Sequence, residues 1–292
     1  MRNILPILTV VLAIVVIWYG AAIRMNTPWE VDQAARASAQ PPSGMALVAA
    51  TWGQDRPVLP VPHQVALELY KSTLGLKITS PKSLVYHGWI SISATLVGFA
   101  MGTALGVLLA VGIVHNRAMD ASVMPWAIAS QTIPILAIAP MIIVVMNALG
   151  VQGLIPKAII SAFLSFFPVL VGMVKGLRSP DGAQFDLMKT YNASAAKVFW
   201  ALRLPSSVPY LFASLKVGIA ASLVGAIVGE LPTGAVAGLG ARLLSGSYYG
   251  QTIQIWAALM AAAIVAAGLV GLVAWVERRT LRRMGMAQGG AK

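Results

Sequence analysis

Three histidines, nine acidic residues and no cysteine leave this chain of 292 residues little with which to do covalent or metal chemistry. His63 and His87 have no partner at metal-ligand spacing, and without thiols there is no disulfide framework, thiolate metal site or cysteine nucleophile. No G-x-x-x-x-G-K-[ST] run is present to cradle nucleotide phosphates, and no nucleophile elbow, zinc-binding helix or carboxylate pair occurs. The expectation is a protein that is not an enzyme and holds no cofactor or metal. Two other groups of residues fit recognition and passage. Leu187, Met188 and Tyr191 repeat at three- and four-residue steps inside the polar stretch "SPDGAQFDLMKTYNASAAKVFWALRLPSSVP", residues 179–209, and offer a partner an apolar face. Gln131, Thr132, Asn147 and Glu230 lie within or at the ends of strongly apolar runs, where a polar group is expensive, so they are candidates for a translocation pathway. Pro134, which should break or kink its run, belongs with them.

These residues need a membrane to sit in. Apolar residues make up 58% of the chain and charged ones only 10%, far below the quarter usual in soluble domains. The net charge of +12 does not indicate nucleic acid, because the basic residues gather at the ends of apolar segments. Six segments are long enough to cross a bilayer: 4–23, 89–114, 121–147, 153–176, 207–230 and 252–276. A cleaved leader is the rival reading of the first, but its apolar run exceeds the usual leader core, and Trp18 and Tyr19 suit an interfacial belt. Gly98, Gly102 and Gly106 form a small-residue face for close helix packing. Between 24 and 88 the chain reads as an outer segment, irregular over 28–60 and with a short interfacial helix over Val65 to Leu74.

Most of the 21 basic residues fall on one side of that arrangement. Arg2, Arg117, Lys175, Arg178, Lys189, Lys197, Arg203 and the tail residues Arg278, Arg279, Arg282, Arg283 and Lys292 share it, whereas the two short loops opposite hold only Lys157 and Arg242. Both termini and the stretch 179–205 are therefore expected in the cytoplasm. Lys216, inside the fifth run, is expected to snorkel.

The stretch itself reads as two short amphipathic helices. Ser179-Pro180-Asp181 suits a helix start, and Asn192 tolerates the left-handed conformation of a sharp reversal. Ala195, Val198, Phe199 and Leu202 repeat the one-sided pattern, and Leu204-Pro205 should end the second helix. A stiff knob fused to the next span follows.

The stretch resembles the "EAA" signature of permease subunits in binding-protein-dependent ABC importers. Counting back from Pro205 places the signature's glycine on Asn192, its acid on Asp186 and its alanines on Leu187 and Met188. "YNAS" at 191–194 is close to the "YGAS" of the nitrate, sulfonate and taurine branch. Leu59-Pro60-Val61-Pro62, "SISATLVGFAMGTALGVLLA" at 91–110, "IPILAIAPMIIVVMNALG" at 133–150, and Glu230 with Gly238-Leu239-Gly240 are similar to further elements of that branch. Ala94 stands where the branch carries Arg, and Val145-Met146-Asn147 where it carries Trp-Phe-Gly.

The resemblance implies an all-α membrane protein of six transmembrane helices with the type I importer permease fold and a coupling-helix hairpin between spans 4 and 5. Its parts would be an N-terminal span over 1–23, a periplasmic segment over 24–88, a core over 89–276 that includes the hairpin 179–205, and a basic tail over 277–292. Asp186, Leu187, Met188, Tyr191, Asn192, Ala193, Ser194, Leu204 and Pro205 would dock cytoplasmic ABC ATPase subunits. A periplasmic substrate-binding protein, a second copy of the chain and the bacterial inner membrane complete the implied assembly, and the branch suggests nitrate, sulfonates or vitamin precursors as solutes. An ATP-independent secondary transporter is the alternative, but that class shows inverted repeats and broken helices with ion ligands, and neither a repeat nor a mid-span carboxylate is found.

Overall fold

The computed structural model describes residues 4–231 and 237–286. Arg2 and residues 287–292 of the basic tail, with Lys292, lie outside them. Among the described residues the regular elements are all helices: α1 (Ile4–Arg36), α2 (Gly44–Gly53), α3 (Pro62–Thr73), α4 (Leu84–His115), α5 (Arg117–Ser130), α6 (Ile135–Ala148), α7 (Leu154–Leu177), α8 (Gly182–Thr190), α9 (Ala195–Val198), a π-helical turn (Phe199–Arg203), α10 (Leu204–Gly229), α11 (Leu239–Tyr248) and α12 (Thr252–Arg283). Among the described residues, five helical stretches are long and apolar enough to span a membrane: α1, α4, α7, the run from α9 through α10, and α12. The segment 121–147 is not one straight span. It forms α5 and α6, bent by 98° at their junction. Pro134 explains the break: it caps α6 in extended geometry and keeps the residue before it out of the helical region. Pro140 lies within α6, which continues past it.

The chain divides into two compact units. The first takes Met1–His87 and Ala241–Ala262. Here the expected irregular stretch 28–60 is largely helical, since α1 runs on to Arg36 and α2 follows. Tertiary hydrogen bonds override composition. The buried Asn26 donates through Nδ2 to the carbonyls of Thr51 (3.2 Å) and Leu59 (3.0 Å) and accepts from the Leu59 N–H (3.1 Å). Gln54 donates to the Asn26 carbonyl at 3.2 Å and to Glu30 at 2.6 Å. Trp18 Nε1 donates to the Pro60 carbonyl at 2.9 Å and its ring meets Trp256, holding the Leu59–Pro62 segment against α1.

The second unit takes Gly88–Gly240 and Ala263–Lys292. Gly98, Gly102 and Gly106 of α4 face α7 at backbone contact, as the small-residue spacing predicts: a Cβ at Gly106 would lie 2.7 Å from the Phe166 carbonyl oxygen. Hydroxyls tie the same helices together. Ser161 donates to the Ser222 carbonyl (2.7 Å) and Ser222 to the Thr95 carbonyl (2.9 Å), linking α7, α10 and α4. A buried apolar cluster of Ile113, Phe166, Leu170, Met173 and Leu177 lies nearer the other end of these helices, and Phe199 and Leu204 rest against it.

Candidate functional site

The elbow at 181–205 is built by successive caps. α8 starts at Asp181, whose carboxylate accepts the Gln184 N–H (2.9 Å) while Gln184 Oε1 accepts the Asp181 N–H (3.1 Å), a reciprocal capping box. The start lies two residues past the expected Ser179, because that hydroxyl donates to the Gly176 carbonyl (2.7 Å) and serves the end of α7 instead. α8 ends in a Schellman turn: Asn192 takes φ +47°, its N–H bonds the Lys189 carbonyl (2.8 Å), and the Ala193 N–H bonds the Met188 carbonyl (3.0 Å). Ser194 then caps α9 by accepting the Lys197 N–H at 3.3 Å. Left-handed geometry at Asn192 is what the sequence predicts for the reversal.

The second helix does not stop at Leu204-Pro205. It passes through a π-helical turn directly into α10, with the Leu204 N–H reaching back to the Phe199 carbonyl. Pro205 has no N–H and its ring clashes with the carbonyl four residues earlier; the wider turn absorbs both defects without ending the helix. Ala195 to Gly229 is therefore one continuous helical run of 35 residues.

The elbow is fastened on its inner side. Phe199 meets His115 edge to face at 5.2 Å between ring centroids, and the Arg203 guanidinium lies 5.0 Å over the Phe185 ring, clasping the two elbow helices. Three of its large apolar side chains are left exposed: Leu187 is 57% exposed, Trp200 67% and Tyr191 72%. Asp186 pairs only with Lys189, at 2.8 Å in solvent. Met188 is half-buried, and Ala193, Leu204 and Pro205 lie partly covered. Trp200, in the π-helical turn, is an exposed aromatic residue that periodicity does not select.

The pathway candidates fall in three places. Gln131, Thr132 and Pro134 gather at the break between α5 and α6, where Thr132 Oγ1 returns a hydrogen bond to the Ala129 carbonyl (2.8 Å) and Gln131 Nε2 bonds Ser130 Oγ (3.2 Å). Asn147 is exposed in the last turn of α6, ~18 Å of helix from Pro134. Glu230 is wholly buried at the end of α10. Its carboxylate accepts from Ser91 Oγ (2.8 and 2.9 Å to the two oxygens) and from the Gly240 N–H (2.9 Å) at the start of α11. Lys157 Nζ stands 3.9 Å away and donates to the Ala237 carbonyl at 2.9 Å. Gly238, at φ +134°, wraps so closely that a Cβ there would overlap the carboxyl group. The Glu230 side chain thus joins the start of α11 to α4 and α7. Ser91 and Lys157 are partners that motif reading misses, although a buried carboxylate calls for a cation and Lys157 stands in the first turn of α7. Lys216 Nζ pairs with Glu277 of α12 at 2.8 Å.

The sequence pattern described as "Binding-protein-dependent transport system inner membrane component" matches residues 102–285, which contain both the elbow and Glu230. The chain belongs to this family. Curated relatives of this permease include a probable ABC transporter permease of Haemophilus influenzae, 27% identical over 76% of this chain and 85% of its own. Others are the formylaminopyrimidine transport permease of Halalkalibacterium halodurans (29%, covering 63% and 68%) and the putative aliphatic sulfonates transport permease of Bacillus subtilis (24%, covering 82% and 80%). Among solved structures, a chain of the inward-facing MetNI methionine ABC transporter matches with a TM-score of 0.57 at 18% identity, over 68% of this permease and 95% of that chain, which shows a shared fold. The protein is an ABC importer permease subunit, a multi-pass membrane component of transport and not an enzyme, and nothing favours the secondary-transporter alternative.

Proposed function

We propose that this permease takes a small polar solute from a periplasmic binding protein and passes it inward, driven by separate ABC ATPase subunits that dock on the elbow. The observation that carries the reading is the exposure of Leu187, Tyr191 and Trp200 on an elbow continuous with a full span. An apolar patch of this kind, capped at both helices and clasped by Arg203, gives a soluble partner something to bury and a stiff element to push. Asp186, Met188, Asn192, Ala193, Ser194, Leu204 and Pro205 shape and orient that face. In this reading the hairpin lies between the fourth and fifth of six spans, the bent pair α5 and α6 counting as one, and both termini face the cytoplasm. Two copies surround the pathway. Gln131, Thr132 and Pro134 at the α5–α6 break line it, Asn147 lies at its edge, and Glu230 stands beside it at the end of α10. The relatives' solutes, formylaminopyrimidine and aliphatic sulfonates among them, point to a small polar or anionic compound.

The test is co-purification of the cognate ATPase with the wild type and with Leu187→Asp/Tyr191→Ala. The variant should insert normally, lose the ATPase and lose solute uptake. Full ATPase retention by a correctly inserted variant would show that the elbow is not the docking surface.

A further inference from the structure

The last two turns of α12 carry Arg278, Arg279, Arg282 and Arg283. At about 100° per residue these four and Trp275 fall on one side of the helix, and together they line a shallow cavity of 550 Å³. The Arg279 guanidinium lies 5.7 Å from the Trp275 ring centroid. The single acid in these turns, Glu277, points away to Lys216 on α10 at 2.8 Å. Among the described residues no carboxylate comes within 4.0 Å of any of the four guanidiniums. Arg278 with Arg282 and Arg279 with Arg283 are like charges one turn apart, a spacing that destabilises a helix unless an anion neutralises it.

We propose that this face binds the phosphodiester headgroup of an anionic phospholipid. Guanidinium pairs grip phosphate oxygens in bidentate fashion, and a tryptophan settles at headgroup depth. The neighbouring residues favour a lipid over a soluble partner: Leu272 and Val276, one turn toward the membrane, are exposed and apolar, so one helix presents acyl-facing and then headgroup-facing residues in order. Orientation signalling needs only basic residues near a span end; it does not require them around one tryptophan with the acid turned away. The proposal rests on the reading of α12 as a span ending at the cytoplasmic surface.

The test uses the full chain in mild detergent, titrated with phosphatidylglycerol or phosphatidylcholine and followed by native mass spectrometry. Phosphatidylglycerol adducts should exceed phosphatidylcholine adducts about tenfold and survive excess inorganic phosphate, and the preference should vanish in Arg278→Gln/Arg279→Gln/Arg282→Gln/Arg283→Gln. Should that variant fail to insert, brominated phosphatidylglycerol on wild type and Trp275→Phe decides: it should quench the wild-type fluorescence more than brominated phosphatidylcholine does, and the excess should disappear with Trp275. Equal adducts of both lipids on the wild type, displacement by phosphate, or an undiminished preference in the quadruple variant would overturn the proposal. So would loss of ATPase co-purification in that variant with its lipid preference intact, which assigns the face to a protein. Failure of the permease reading shows separately, as ATPase retention by the elbow variant.

Discussion

Substituting Asn192 separates the elbow's geometry from its surface chemistry. Asn192 holds φ +47° and places the two closing N–H groups of α8 on the Lys189 and Met188 carbonyls. Valine is a poor fit to that region, because a β-branched side chain meets the adjoining backbone; the conformation costs about 1–2 kcal/mol, and loss of one closing hydrogen bond adds about 1 kcal/mol. Asn192→Val should therefore open the α8 end by about 2–3 kcal/mol, on the order of a 30- to 150-fold rise in the open population. Asn192→Gly, which needs no side-chain accommodation, should stay within a few-fold of wild type. Hydrogen exchange at the Ala193 amide reads this directly, and ATPase-driven solute uptake in vesicles should fall in the valine variant and hold in the glycine one. If valine leaves exchange unchanged, the turn does not depend on residue 192. If exchange rises while uptake is untouched, the elbow need not be ordered to work, and the docking argument fails.

Removing the cation beside Glu230 should matter more than removing the acid. Lys157→Met leaves a buried carboxylate without a counter-charge and should cost about 3 kcal/mol in detergent unfolding, with partial recovery in Lys157→Met/Glu230→Gln. Gly106→Ala should destabilise by about 1–3 kcal/mol by forcing α4 off the Phe166 carbonyl, whereas Gly268→Ala, with open space around it, should be neutral or stabilising in the same thermal assay. The half-exposed Arg178–Asp120 pair, though close at 2.8 Å, should give a coupling of under about 1 kcal/mol in a double-mutant cycle.

Features set by a few neighbouring residues were open to reading from the chain alone. Asn192 announces a left-handed reversal by residue type, Pro134 announces the break, and the four-residue spacing of Gly98, Gly102 and Gly106 announces a close helix contact. What depended on distant partners was hidden. The helices over 28–36 and 44–53 exist in a stretch of loop-like composition because Asn26 supplies three hydrogen bonds from elsewhere in the first unit. Pro205 looks like a stop signal because the rule for the residue before proline assumes an α-helix; a π-helical turn supplies the alternative. Ser91 is remote in sequence from Glu230, and no local pattern in either segment joins them.

The unbroken run from Ala195 to Gly229 has a mechanical corollary. A straight rod of its 35 residues is ~52 Å long, so tilting it by about 5° carries one tip sideways by ~4.5 Å relative to the other. Since the Glu230 carboxylate clips the far tip to the first turn of α11, a tilt begun at the elbow and carried through the π-helical turn and past Pro209 would reach Gly240. Motion begun at the elbow would then emerge at the opposite end of the same helical run.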